Sequence, residues 1–173
     1  MNFKLETNRL TLIPFKNSDK ALYHKLNTDT FVRKYLWDDE IIEKEKAAEI
    51  IDLNEKHFKM DHYGLWKISL KKNTKVIGYA GLWHFFEEGQ PQLMYALLKN
   101  FTKKGFAKEA SEAIIDYAFK KLGFEYIIAA TDSIHLDSQN LALSLGMTLV
   151  EKRMENEKTT LFFTLNNAKR PDQ

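Results

Sequence analysis

Residues 97–110, LLKNFTKKGFAKEA, decide how the rest of the chain is read. They join the end of an apolar run, residues 93–98, to a long amphipathic pattern through Lys103-Lys104-Gly105. A strand entering a helix at such a point brings unpaired backbone N–H groups, the positive end of a helix dipole and two ammonium groups together. That combination holds a phosphate or pyrophosphate. Glycine at 105 is expected to admit the phosphate where a Cβ would hinder its approach to the backbone.

Outward from this turn the elements follow in both directions. Residues 105–122 read as the clearest helix, with Phe106, Ala110, Ala113, Ile114, Tyr117 and Ala118 on one stripe and Gly123 as its stop. Upstream, residues 65–70, 76–86 and 92–98 read as three antiparallel strands joined by polar turns. Gly78 and Gly81 mark a bulge or a close approach within the second of these. Downstream, residues 125–131 form a short apolar strand expected to be buried on both faces beside a parallel neighbour. A short helix over 137–145 ends at Gly146, and strands over 147–152 and 159–165 close the chain. At the front, residues 9–15 alternate as a strand, and Ser18 is placed as the cap of a short helix. Residues 30–36 add a helical turn or two. Trp37-Asp38-Asp39-Glu40 then opens a longer helix whose apolar positions are Ile41, Ile42, Ala48, Ile51 and Phe58. Those acids serve that helix's N-terminus, or face a cleft and draw in a cationic amine. The order predicts an α/β (α+β) fold of seven strands with a strand–helix–strand crossover at its centre. It predicts one domain over 1–165 and a frayed tail over 166–173.

Composition removes several classes. At 173 residues the chain buries about 70% of its unfolded surface as one domain. It has no cysteine, so disulfide frameworks, thiolate metal sites and cysteine nucleophiles are out. A net charge of +2 argues against a nucleic-acid surface. No apolar run reaches membrane-span length, and MNFKLETNRL lacks a secretory pattern, so a cytoplasmic protein without a membrane partner is expected. His57 and His62, five apart, do not share a helix face, so no zinc site or other metal is inferred. Trp66 and Trp83 read as core.

Three segments in order resemble the GNAT superfamily of acyl-CoA-dependent N-acyltransferases, and within it the Rim-type branch of ribosomal-protein N-terminal acetyltransferases. Glu6-Thr7-Asn8-Arg9-Leu10-Thr11-Leu12 resembles the branch's opening strand, TxRLxL. Residues 100–110 resemble the phosphate motif Q/R-x-x-G-x-G/A and the A-x-E-A helix start, here Ala107-Lys108-Glu109-Ala110. His135-Leu136-Asp137-Ser138, running on to Leu145-Gly146-Met147, resembles the branch's N-x-x-S…L-G-F/M segment. The chain departs from the pattern at Asn100 (Gln or Arg), Lys103 (glycine), His135 (asparagine), Gln92 (glutamate) and Ala142 (tyrosine).

The resemblance implies a mostly antiparallel sheet with helices on both faces around a central acyl-CoA site. It also implies acetyl-CoA as co-substrate and a primary amine as acceptor: a protein or peptide N-terminus, or a small molecule. With no cysteine, direct attack by the amine in a ternary complex is the economical route. A non-catalytic acyl-CoA-binding or sensing domain is the alternative, and a homodimer is compatible with the family. The implied cofactor contacts are Leu97, Leu98, Asn100, Lys103, Lys104, Gly105, Phe106, Ala107, His135 and Ser138. Ser138 is also the candidate acid, since its hydroxyl would lie near the sulfur. It reads equally as a helix cap. For the base, Glu88 and His84 rank together, with Asp132 or a relayed water as further options. Tyr95 is a second phenolic candidate and cleft wall, and Trp37 the aromatic placed against the substrate. Acceptor specificity is assigned to residues 29–62 and the turns at 87–91 and 154–158.

Overall fold

In the computed structural model, residues 3–169 are described. Among these described residues eight strands form one sheet in the order β1-β2-β3-β4-β5-β6-β8-β7. They are β1 (Leu5–Glu6), β2 (Leu10–Pro14), β3 (Leu65–Leu70), β4 (Val76–Trp83), β5 (Gln92–Leu97), β6 (Tyr126–Asp132), β7 (Thr148–Glu155) and β8 (Lys158–Asn166). The expected count was seven. The extra strand, β1, is a two-residue edge piece pairing Leu5 with Leu12 and Glu6 with Thr11, too short to show a period of two.

Among the described residues five α-helices cover the two faces: α1 (Lys20–Thr28), α2 (Thr30–Leu36), α3 (Lys44–Met60), α4 (Phe106–Lys120) and α5 (Leu136–Ser144). The alternation along β5 shows how the faces divide. Leu93 and Leu97 join the core under α4 and α5, with Ala110, Ile114 and Ala142. Met94 and Ala96 join the core under α1, α2 and α3, with Tyr23, Val32 and Ile51. The α4 stripe is wider than the sequence spacing suggests, because Ile115 and Phe119 are buried as well. Gly78 and Gly81 mark close approaches. A Cβ at either would come within 2.1 Å of a backbone carbonyl oxygen, of Ala96 or Gly64 respectively.

Several helix starts differ from expectation. Ser18 does not cap. A short 3-10 turn, Asn17–Asp19, precedes α1, and the Asp19 carboxylate instead accepts the Lys16 N–H at 2.9 Å. The acids at 38–40 do not open α3, which begins only at Lys44. Asp38 and Asp39 adopt left-handed backbone (φ 52° and 67°), which ends any helix there. Asp38 pairs with Lys158, and Asp39 with Arg33 at 2.8 Å. β4 stops at Trp83, short of residue 86. At the end of the chain, β8 runs through Asn166 and the Asn167 N–H donates to Glu125 O at 2.8 Å. The last four residues of the predicted tail, 170–173, lie outside the described residues.

One feature of the sheet makes the site. The parallel pairing of β5 with β6 is registered at a single position, Gln92 opposite Ile128, whereas β6 stays paired with β8 over seven positions. Toward their C-terminal ends β5 and β6 therefore part. The gap is lined from both strands, by Tyr95 and Leu97 on one side and Ala129 to Asp132 on the other. A strand edge left in this way offers backbone groups to a ligand.

Candidate active site

The gap opens into a cleft of about 420 Å³ that passes through the sheet. At one end lies the start of α4. Gly105 is its N-cap, in left-handed conformation (φ 80°), and the first N–H bonded inside the helix is that of Glu109, to Gly105 O at 3.0 Å. The preceding N–H groups have no intrahelical partner and carry the positive end of the dipole. Lys103, two residues earlier, also has positive φ (57°). Glycine at 105 also has a structural reason: a Cβ there would meet Arg9 Nη2 at 3.2 Å and suffer left-handed strain.

Arg9 belongs to a clasp that spacing alone does not reveal. The Glu109 carboxylate accepts the Thr7 hydroxyl at 2.6 Å, the Arg9 backbone N–H at 2.8 Å and Arg9 Nε at 2.6 Å. Arg9 Nη1 donates to Lys104 O at 3.0 Å, and the guanidinium lies 4.4 Å over the Phe106 ring. Burial alone would raise the Glu109 pKa, but these donors outweigh it and hold the carboxyl below its ordinary value. The β1–β2 segment thus fixes the turn and first helical residue of α4 from outside.

The α5 side completes the cleft. Ser138 sits in the first turn of α5 without capping it, and its Oγ accepts a hydrogen bond from Tyr95 OH at 2.9 Å. Burial pushes the Tyr95 phenol up to about 12, with the Ser138 contact opposing the rise. His135, the residue before α5, stacks on Tyr35 of α2 (centroids 4.1 Å apart, planes at 9°). Burial lowers its pKa, opposed by Asp137 and Asp132. Asp137 reaches Lys103 across the cleft mouth at 3.5 Å.

The sequence-derived residues divide between cleft and surroundings. Leu97, Lys103, Gly105, Ala107, His135, Ser138 and Tyr95 line it, as does Lys108, which sequence reasoning missed. Outside the lining fall four expected cofactor contacts, Leu98, Asn100, Lys104 and Phe106, and Trp37, the aromatic expected against the substrate. Leu98 donates its N–H to Ile77 O at 2.9 Å. Lys104 donates through Nζ to Asn100 O at 2.7 Å. Phe106 carries the Arg9 guanidinium. Trp37 donates to Asn27 Oδ1 at 2.8 Å, within a buried network that also takes the Tyr79 hydroxyl at 2.6 Å. Glu88 pairs with Arg153 at 2.6 Å, and His84 exchanges a hydrogen bond with Tyr63 OH at 3.1 Å. Gln92 is fully engaged. Its Oε1 accepts from the N–H groups of Phe85 (2.8 Å) and Phe86 (3.2 Å), and its Nε2 donates to Gln90 O at 2.7 Å. Phe31, Tyr35, Phe85 and Phe86, none singled out beforehand, wall the cleft on the α2 side. Among the described residues no group of side chains is arranged to hold a metal, and no helix is long and apolar enough to cross a membrane.

The sheet splits between two parallel strands with a glycine-capped helix start at the split, and comparison places this fold. Residues 9–148 match the family model described as the acetyltransferase (GNAT) domain. The chain therefore belongs to the GNAT family of acetyltransferases. It is similar to the uncharacterized N-acetyltransferase YnaD of Bacillus subtilis (strain 168), with 25% identity over 143 residues covering 83% of this chain and 81% of that one. Its fold matches the ribosomal-protein-S5-alanine acetyltransferase of Vibrio fischeri (TM-score 0.79, 16% identity, 97% of this chain and 99% of that one). It also matches the microcin C7 self-immunity acetyltransferase MccE, solved with acetyl-CoA and AMP (TM-score 0.73, 16% identity, 92% and 93%).

Proposed function

We propose that the protein transfers an acetyl group from acetyl-CoA to a primary amine by direct attack within a ternary complex. The observation that carries the reading is the Tyr95–Ser138 hydrogen bond, set in the split of the sheet and facing the same cleft as the start of α4. The donor set fits a diphosphate at one end: the N–H groups of Gly105, Phe106 and Ala107, with the Lys103 ammonium. The separated edge of β5, through Leu97, suits an amide-bearing arm, and acetyl-CoA supplies the thioester.

In the reaction the amine first loses a proton from its ammonium form; the neutral nitrogen then attacks the thioester carbon, a C–N bond forms, the C–S bond breaks, and the amide leaves with one fewer N–H proton than the neutral amine held. The departing thiolate needs a proton. Ser138 Oγ already accepts a hydrogen bond from Tyr95, so its own hydrogen is free to point at sulfur, and Tyr95 can replace it. The relay leaves Tyr95 as tyrosinate, and with its pKa raised to about 12 it regains a proton from solvent before the next turnover. The carbonyl oxygen, as it gains charge, would be held by backbone N–H groups of β5. Glu88 and His84, held by Arg153 and Tyr63, are not needed in this scheme; the amine's proton passes to water or to Asp132 at the far end of the cleft.

Replacing Ser138 tests it. Ser138→Ala is expected to lower kcat about 100-fold while changing the acetyl-CoA dissociation constant less than about threefold. Equal losses in both would make Ser138 a ligand contact only.

A further inference from the structure

Resting on the acetyltransferase reading, we infer that the acceptor is a small primary amine carried on an aromatic group and bearing no carboxylate. Beyond Ser138 the cleft emerges on the face covered by α2, where Asp132 stands opposite Thr160 in the β6–β8 ladder. Phe31, Tyr35, Phe85 and Phe86 wall this chamber. Tyr35, Phe85 and Phe86 remain 40%, 52% and 37% exposed. Apolar rings left open inside a concavity are completed by a ligand that brings apolar area of its own. These rings are also built in place: the Gln92 side chain holds the backbone of Phe85 and Phe86, and Phe86 packs edge-on against Phe162 at 4.9 Å.

Charge then selects among aromatic ligands. Lys103 and Lys108, the lysines lining the cleft, both stand at the α4 end, where a diphosphate would use them. On the α2 side the lining carboxylate is Asp132, and the nearby Lys158 is already paired with Asp38. An ammonium group is attracted there. A carboxylate on the acceptor would meet Asp132 and find no lysine or arginine among the residues that line the α2 side.

Size excludes a long chain. The Tyr35–His135 stack ties α2 to the start of α5, and the Asp38–Lys158 pair ties the α2–α3 connection to the β7–β8 turn. The Tyr35–His135 stack lines the chamber itself, and the 420 Å³ cleft must also take the acyl arm. A ring and a short linker fit that space better than an extended polypeptide.

The test is the initial rate of thiol release by the full chain with acetyl-CoA and each of four amines: 2-phenylethylamine, phenylalanine, butylamine and a short peptide with N-terminal phenylalanine. The expected kcat/KM for 2-phenylethylamine exceeds each of the others by about tenfold or more. A rate for any of the other three that equals or exceeds it overturns the inference and leaves acetyl transfer standing. Thiol release with none of them removes the acetyltransferase reading and this inference with it. Two variants add independent readouts. Phe85→Ser, at a half-exposed ring, is expected to raise the KM for 2-phenylethylamine about tenfold with the KM for acetyl-CoA unchanged. Asp132→Asn is expected to shrink the preference for 2-phenylethylamine over phenylalanine toward parity; an undiminished preference would overturn the role of Asp132.

Discussion

Glu109 has the sequence signature of a solvated helix residue, yet it gathers three donors from a segment 100 residues away. Its depressed pKa has a definite sign. A carboxyl held below its unfolded value contributes stability that is complete above that value and is lost as the pH falls through the lower folded one. Stability should therefore decline below pH 4.5, the ordinary glutamate value, and Glu109→Gln should remove part of that decline in urea midpoints taken between about pH 3 and 5. Because the clasp fixes the Lys104 carbonyl and the Phe106 ring, the same variant should weaken acetyl-CoA binding about tenfold and change kcat at saturating acetyl-CoA less than about twofold. Equal losses in both would mean that the clasp serves chemistry rather than cofactor position. Thr7, Arg9 and Glu109 were all present in motifs quoted from the sequence, but a contact across 100 residues has no local period to betray it. The turn at Lys103–Gly105 was legible for the opposite reason: glycine, charge and helix start are neighbours in the chain.

At the scale of elements, the turn between β4 and β5 shows how one side chain shapes a wall. Gln92 stands where the family pattern has glutamate, and its amide cannot take a proton. Its amide instead spans the turn, accepting from Phe85 and Phe86 while donating to Gln90. Glutamate could keep the first two bonds but would set a carboxylate against the Gln90 carbonyl. Gln92→Glu should therefore lower kcat/KM for the amine about tenfold and leave the acetyl-CoA dissociation constant unchanged. A rise in rate would show that position 92 wants a base after all. The acidic stretch at 38–40 shows the limit of reading elements locally. Three acids before an apolar pattern look like a helix start, but Asp38 and Asp39 are drawn into ion pairs with Lys158 and Arg33, and the helix waits until Lys44. Long-range charge overrode a local preference there, whereas at the turn before α1 one local acceptor, Asp19, displaced another, Ser18.

For the molecule as a whole, the succession of elements was enough to give the mixed sheet, because a strand–turn–helix–strand run beside a meander has few ways to pack. The split between β5 and β6 was not visible, since both strands have ordinary apolar patterns and only their pairing shows where they part. The split is what turns a sheet into a site: it puts the start of α4, the Tyr95–Ser138 pair and the aromatic chamber along one passage. The central claim is that this passage takes acetyl-CoA, and thermal unfolding with and without it tests that most directly. At about a hundred times its dissociation constant, a ligand bound only by the folded state adds ~2.7 kcal/mol. For a chain of this size that raises the midpoint by roughly 5–10 °C, and this is the predicted result. An unchanged midpoint at millimolar acetyl-CoA would contradict it and remove the site.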